Sequence, residues 1–449
     1  MTDLPPGWAK TTLGEIAETS LGKMLDRSKA TGKYAVPYLR NVNVQWGRID
    51  LNNILTMDIP PEERELFRLQ PGDLLVCEGG EIGRCAIWPG SAKYMAYQKA
   101  LHRVRPHSGV EANYLRYLLE HMSLSGLLTQ YATGSTIKHL PQQKLRRLPV
   151  NLPPTAEQRR IVAALEHHLS RLTAADAGVS RVAQRLKLLT KRILVEAVPV
   201  PGPDHWKLVS VADAGSVELG RARHPDWHTG PHMRPYLRVA NVFEDRIDTS
   251  DLMEMDFPPE VFERYRLMDK DILLNEGQSP EFLGRPAMYR GVPENVAFTN
   301  SLLRFRAGPG VLPEWALLVF RRHMHAGRFI RELRITTNIA HLSATRLKKV
   351  EFPIPPMEEQ ERIVAEVHEK LAAIQRLADA VDAGTNRAQA LRRALLAEAF
   401  AGRLVEQDPA DEPASVLLER IRAERAARQP GRRGRRGKNG TVPQKETLV

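Results

Sequence analysis

"LPPTAEQRRIVAAL" occupies Leu152–Leu165, and "IPPMEEQERIVAEV" occupies Ile354–Val367. Both read Pro-Pro-x-x-Glu-Gln-x-x-Ile-Val-Ala, 202 residues apart. Self-similarity at a long, fixed offset has to be mapped before any element is assigned, because it sets the architecture. Working outward, Trp8 pairs with Trp206, and "LGK" (Leu21–Lys23) pairs with "LGR" (Leu219–Arg221). "PYLRNVNV" (Pro37–Val44) pairs with "PYLRVANV" (Pro235–Val242), and "RID" recurs at Arg48–Asp50 and Arg246–Asp248, all at an offset of 198. "GDLLVCEGG" (Gly72–Gly80) answers "KDILLNEGQ" (Lys270–Gln278). The offset steps to 201 where "LHRVR" (Leu101–Arg105) meets "LLRFR" (Leu302–Arg306). It reaches 202 where Ile137, His139 and Leu140 meet Ile339, His341 and Leu342. The chain is therefore duplicated head to tail.

Within each copy, "DLLVCE", "ALHRVRP", "ILLNE" and "LLRFRA" are short apolar runs between turn residues and predict strands. Helical periodicity is expected near Ala112–Leu128 and Pro313–Leu333. Each copy thus reads as a mixed α/β (α+β) globule of about 150 residues. The double proline closes the globule and forces an extended approach to the helix beyond it. In the first copy Leu165, Leu172, Val179, Leu186 and Ile193 fall seven apart, with Ile161, His168, Ala175, Val182 and Leu189 as companions. In the second, Val367, Ile374, Val381, Ala388 and Leu395 do the same, with Ile363, Lys370, Leu377, Gly384 and Leu391 between. Such heptads predict partner helices. A helix of about 40 residues spans ~60 Å. For both seams to be buried, the second helix must return antiparallel along the first, an antiparallel coiled coil with pseudo-two-fold symmetry. The expected division is residues 1–153, a first recognition domain, and 154–198, a long spacer helix. Residues 199–355 make a second recognition domain, 356–402 a second long helix, and 403–449 a terminal helix with a basic tail.

The chain has 449 residues, 42% of them apolar, enough for two to four domains with real cores. No apolar run approaches the ~18–20 residues that cross a bilayer. The opening "MTDLPPGWAK" lacks a secretory layout, so the expected location is cytoplasmic, with no membrane partner. A net charge of +12, partly carried by the folded body, suits a polyanion. Cys77 and Cys85 face Asn275 and Pro286 in the second copy, so a metal site or disulfide belonging to the repeat is not expected.

Two recognition domains, each closed by a Pro-Pro-x-x-Glu-Gln helix, resemble the specificity subunit of a type I restriction–modification enzyme. The motifs are "PYLRNVNV"/"PYLRVANV", "GDLLVCEGG", "TGSTIKHL"/"TTNIAHL" and the two Glu-Gln helices, over residues 1 to about 402. The resemblance implies a non-catalytic DNA-specificity subunit that selects a bipartite, asymmetric site in double-stranded DNA. It implies two methyltransferase (modification) subunits as partners, with restriction subunits joined through them. S-adenosylmethionine, ATP and Mg would be used on those partners, and no cofactor or metal on this chain. Competing readings are a stand-alone bipartite DNA-binding regulator and a coiled-coil protein adaptor.

The residues argue against chemistry on this chain. No lysine stands two positions after an acid, the end of a common nuclease site, and no phosphate loop is present. "NLPPT", "DIPPE" and "DFPPE" lack the aromatic that stacks a flipped base in an aminomethylase. His323 and His325 in "RRHMH" have no nearby acid or cysteine set to complete a metal site.

DNA contacts are sought by comparing the copies. Recurring cations at Lys23/Arg221, Arg40/Arg238, Arg84/Arg285 and Arg105/Arg306 are expected to hold phosphates. Asn43 and Asn241 recur in the same motifs and join the set. Divergent stretches are expected to read bases: Gly22–Val36 against Gly220–Arg234, Glu78–Arg84 against Glu276–Arg285, and Gln98-Lys99 against Thr299-Asn300. Gln and Asn pair with adenine, and Lys and Arg with guanine, which singles out Gln98, Lys99, Lys138, Gln278 and Asn300. The Gly/Arg-rich Gln429–Gly440 is expected to be disordered, and the helix before it to dock on the first globule or a partner.

Overall fold

The computed structural model describes residues 4–26, 31–91, 93–134, 138–331 and 340–428. The Gly/Arg-rich tail, Ile137 and Ile339, and part of the Gly22–Val36 stretch lie outside them. The chain forms two compact units, Met1–Asp176 with Asn386–Val449 (unit 1) and Ala177–Thr385 (unit 2). Among the described residues five helices exceed eight residues: α1 (Ala112–Leu124), α2 (Thr155–Ala197), α3 (Pro313–His325), α4 (Met357–Phe400) and α5 (Ala414–Arg428).

Unit 1 is built on an antiparallel sheet of β1 (Ala17–Leu21), β2 (Leu74–Cys77), β3 (Cys85–Ile87) and β4 (Leu101–Pro106), in the order β1-β4-β2-β3. Every residue of β2 is buried, which is why "LLVC" is an unbroken apolar run. A smaller sheet joins Leu55–Asp58, Ala35–Leu39 and Ala96–Tyr97. Ala9–Thr12 pairs with Pro149–Leu152, so the start of the globule lies beside its end, just before Pro153-Pro154. Unit 2 repeats the plan with β5 (Gly215–Leu219), β6 (Ile272–Asn275), β7 (Pro286–Met288) and β8 (Leu302–Ala307), in the order β5-β8-β6-β7. Its closing pair is Lys207–Ser210 with Glu351–Ile354. Helices α1 and α3 are shorter than the periodicity predicts. Gly126 and Gly327 come just after them at φ +76° and +67°, the left-handed conformation that ends a helix and that glycine adopts most cheaply.

The glutamine of the repeated motif has a structural job in both units. Gln158 is fully buried; its Nε2 donates to Pro153 O (2.9 Å), and its Oε1 accepts from Glu111 N (2.9 Å). Gln360 does the same with Pro355 O and Leu312 N (both 2.9 Å), and donates also to Gly310 O (3.0 Å). Glu111 and Leu312 are the N-cap residues of α1 and α3, whose free N–H groups need acceptors. One amide therefore ties the start of each long helix to the start of the helix inside its globule.

Each unit contains the beginning of one long helix and the end of the other. In unit 1, Ile161, Leu165 and Leu169 of α2 share a core cluster with Leu396 and Ala399 of α4. In unit 2, Leu194 of α2 and Val198 share one with Ile363, Val364 and Val367 of α4. The sevenfold positions turn inward as expected and the first companions, Ile161 and Ile363, are buried as predicted, but the later companion positions sit one residue further on. His168 is exposed where Leu169 is buried, and Val182, Leu189, Leu377 and Leu391 are exposed. The shifted register places Asp176, Thr190, Thr385 and Arg392 on the inner side, so polar residues hid it from an apolar count. Thr190 and Thr385 satisfy their hydroxyls on Leu186 O (3.0 Å) and Val381 O (3.1 Å) of their own helices. Arg392 donates to the buried carboxylate of Glu120 on α1 (Nε–Oε1 2.7 Å).

The segment after Arg403 completes unit 1. Ala414, Leu417, Leu418 and Ile421 of α5 enter its core, and Arg425 donates to Gly14 O (3.1 Å) and Glu15 O (2.9 Å). Among the described residues, no helix is long and apolar enough to cross a membrane.

Candidate nucleic-acid interface

The recurring cations turn out to be partnered inside their own globules. Arg105 makes a bidentate pair with Asp73 (2.6 and 2.8 Å), which also accepts from Gln70 N (2.7 Å). Arg306 repeats this with Asp271 (2.7 and 2.8 Å). Both aspartates are about 1% exposed, so each arginine neutralises a buried carboxylate. Arg84 donates to Asn41 O (3.1 Å) and Glu81 (3.3 Å). Arg285 donates to Val242 O (2.6 Å) and lies between the rings of Phe243 and Phe282. Arg40 donates to Asn53 O (2.9 Å), and Arg238 pairs with Asp251. Lys23 pairs with Glu63 over the Phe67 ring. Arg221 is buried between Trp227 and Phe257, and that desolvation pushes its pKa down.

Asn43 and Asn241 are spent as well. Asn43 accepts from Arg40 N (2.9 Å) and donates to Asp50 O (2.9 Å) and Asn53 O (3.3 Å). Asn241 accepts from Arg238 N and donates to Asp248 O and Asp251 O at 2.9–3.0 Å. Each is buried and pins its own turn, so neither has a group left to read a base. The common physical reason is that a recurring polar residue in a duplicated frame is first of all part of the frame.

The remaining candidates gather on one edge of each globule. In unit 1, Gln98 N donates to Leu39 O, Lys99 N to Lys23 O, Glu78 N to Ala100 O and Leu140 N to Glu78 O, at 2.7–3.0 Å. These bonds bring together Gln98, Lys99, the Glu78–Gly80 turn and His139 around a cleft of about 400 Å³ that Asn41 also lines, with Lys138 next to His139 in the chain. Lys99 and Lys138 are exposed and Gln98 is half-buried. Unit 2 builds the same edge: Asn300 N donates to Arg221 O, Glu276 N to Ser301 O, and Leu342 N to Glu276 O. There Gly277-Gln278 pairs with Ala340-His341, Asn300 is exposed and Gln278 half-buried. Thr299 turns inward and bonds Leu237 O (3.3 Å). Sequence comparison missed His139 and His341, although both stand in the "HL" that the two copies share.

Other polar groups serve the cores. Cys77 and Cys85 are free buried thiols, and burial pushes Cys77 up to about 11. Among the described residues, no group of three or more His, Cys, Asp or Glu stands at metal-binding distance. His325 bonds both Glu244 oxygens (3.0 and 3.1 Å). His323 donates from Nε2 to Glu351 O (2.9 Å), which leaves Nδ1 to accept from Arg322 (3.3 Å). Burial holds His323 down at about 4. Below pH 6.5 the unfolded chain takes a proton that folded His323 refuses, so unit 2 is expected to lose stability between about pH 6.5 and 4. The full loss is about 3 kcal/mol at ~1.4 kcal/mol per pH unit. In His323→Gln, denaturant titrations at pH 7 and 4.5, which cross most of that window, are expected to show about 2 kcal/mol less acid destabilisation than in the wild type. Equal acid sensitivity in the two proteins would refute the assignment.

Residues 5–177 and 289–374 match the family described as type I restriction modification DNA specificity domain. The specificity subunit of the type I restriction enzyme EcoKI, from Escherichia coli (strain K12), is 23% identical over 94% of this chain and 97% of its own length. The putative MjaX specificity subunit of Methanocaldococcus jannaschii is 30% identical over 29% of this chain and 31% of its own. A chain solved in work on complex assembly and conformational transition of a type I R-M system superposes with a TM-score of 0.71. It is 19% identical and the match covers 90% of this chain and 100% of that one. The HsdS subunit from Thermoanaerobacter tengcongensis gives 0.50 at 19% identity, over 90% and 98% of the two chains. Likeness at such identity is likeness of fold.

Proposed function

The chain belongs to the type I restriction modification DNA specificity family, and from that premise we propose that it selects a split, asymmetric DNA sequence for a methyltransferase complex. Unit 1 reads one half-site and unit 2 the other. The observation that carries this is the edge built twice on one backbone frame with different side chains: exposed Lys99 and Lys138 with half-buried Gln98 in unit 1, exposed Asn300 with half-buried Gln278 in unit 2. Like frames with unlike tips suit two different short sequences.

The long helices pair antiparallel and fix the gap between half-sites. The sharing of each unit's core between the start of one helix and the end of the other supports this. Two modification subunits dock on the chain and carry S-adenosylmethionine chemistry; restriction subunits join through them with ATP and Mg. The chain itself catalyses nothing and works in the cytoplasm.

A chimaera with residues 1–153 taken from a foreign specificity subunit is expected to change one half-site and keep the other. Sequencing methylated sites in a host carrying the chimaera and the modification subunits reads this directly. If both halves change together, or neither does, the modular reading is wrong.

A further inference from the structure

The edges differ between the units except at one exposed side chain, the histidine at 139 and 341. Both rings stand against a glycine. The backbone of His139 faces Gly79, and that of His341 faces Gly277. A methyl group at Gly79 would stand 3.0 Å from His139 Nδ1, and one at Gly277 would stand 3.1 Å from the His341 ring. Each imidazole therefore packs closely over a glycine, where a methyl group would press on the ring. His341 Nδ1–H also donates to Glu276 Oε2 (3.1 Å) with its ring about two-thirds exposed, which leaves Nε2 facing outward, a donor when the ring carries both protons. The charged groups lining the cleft with His139 are Glu78 and Lys99, and Lys138 precedes it in the chain.

A side chain that reads a base should differ between half-sites of different sequence. One that stays the same amid divergent neighbours contacts what all half-sites share, the sugar–phosphate backbone. The recurring cations expected to do this are partnered inside the globules. We propose that His139 and His341 each hold a DNA phosphate through Nε2, one per half-site. This rests on the DNA-reading function proposed above.

The test is the salt dependence of DNA binding by the full chain with its modification subunits, at pH 6 and pH 8.5. Each neutralised phosphate contributes about 0.9 to the slope of log affinity against log salt. At pH 6 the His139→Gln/His341→Gln protein should have a slope about two units shallower, on target and non-target duplexes alike. Between 50 and 200 mM salt that is about ten-fold less loss of affinity. At pH 8.5, where imidazole is neutral, its slope should match the wild type. His139→Lys/His341→Lys should restore the steep slope at both pH values, which also covers the case in which the glutamine protein folds poorly. Equal slopes for wild type and the glutamine protein at pH 6, or a shifted half-site sequence, would overturn the assignment while leaving the DNA-reading function intact. A wild-type complex without sequence-selective, salt-dependent binding would sink both.

Discussion

Gln360→Leu is expected to lower the stability of unit 2 by about 3–5 kcal/mol, although leucine fills nearly the same space. Gln360 is fully buried and makes three hydrogen bonds, with Leu312 N, Gly310 O and Pro355 O. Removing the amide strands all three backbone groups away from water, at about 1–3 kcal/mol each. Gln158→Leu strands two, Glu111 N and Pro153 O, and should cost unit 1 less. Gln360→Glu should not rescue, because a carboxylate would face the carbonyls of Gly310 and Pro355. Because the chain has two units, the effect should be localised by amide hydrogen exchange, with protection lost in β5–β8 and kept in β1–β4. A loss below 1 kcal/mol, or one spread evenly over both sheets, would show that the Pro-Pro-x-x-Glu-Gln signal does not lock the helix to the globule.

Four residues inserted beside Gly178 are expected to lengthen the unread gap of the DNA site by one to two base pairs and to leave both half-sites unchanged. Among the described residues, no side chain or backbone of another element lies within 4 Å of the space a side chain at Gly178 would take, so the insertion point is uncluttered. Four residues add ~6 Å of helix and rotate the remainder of α2 by about 40° beyond a full turn. DNA rises ~3.4 Å per base step and turns ~34–36°, so one added step absorbs most of the rotation. The measurement is again the sequence of methylated sites. Retention of the old gap at full affinity, or a change in either half-site, would falsify the ruler.

The repeat, the buried strands and the starts of the long helices were legible from the chain alone. The duplication is plain from "LPPTAEQ" against "IPPMEEQ" and its steady offset. "LLVC" and "ILLN" announce strands because a strand buried on both faces needs an unbroken apolar run. The long helices start at Thr155 and Met357, directly after the double prolines, because proline disfavours helix in the residue before it. Periodicity also found the sevenfold line Leu165, Leu172 and onward, but not its companions. An apolar count cannot see a register that runs through Asp176 and Thr190, although the Thr190 hydroxyl is satisfied on Leu186 O of its own helix.

What the tertiary structure alone decided is which cations are paired within their own globule. Arg105 and Lys99 are both basic residues of one segment. The fold brings Asp73, 32 positions away, against Arg105, while among the described residues no carboxylate is paired with the exposed Lys99 side chain. Trp227 and Phe257 close on Arg221 in the same manner, and the backbone of Gly79 makes a seat for His139. Period and propensity act over a turn of helix or a pair of strand residues, and so the sequence carries them openly. A charge is free or spent according to what lies within about 4 Å of it, and those neighbours come from distant parts of the chain that only folding brings together.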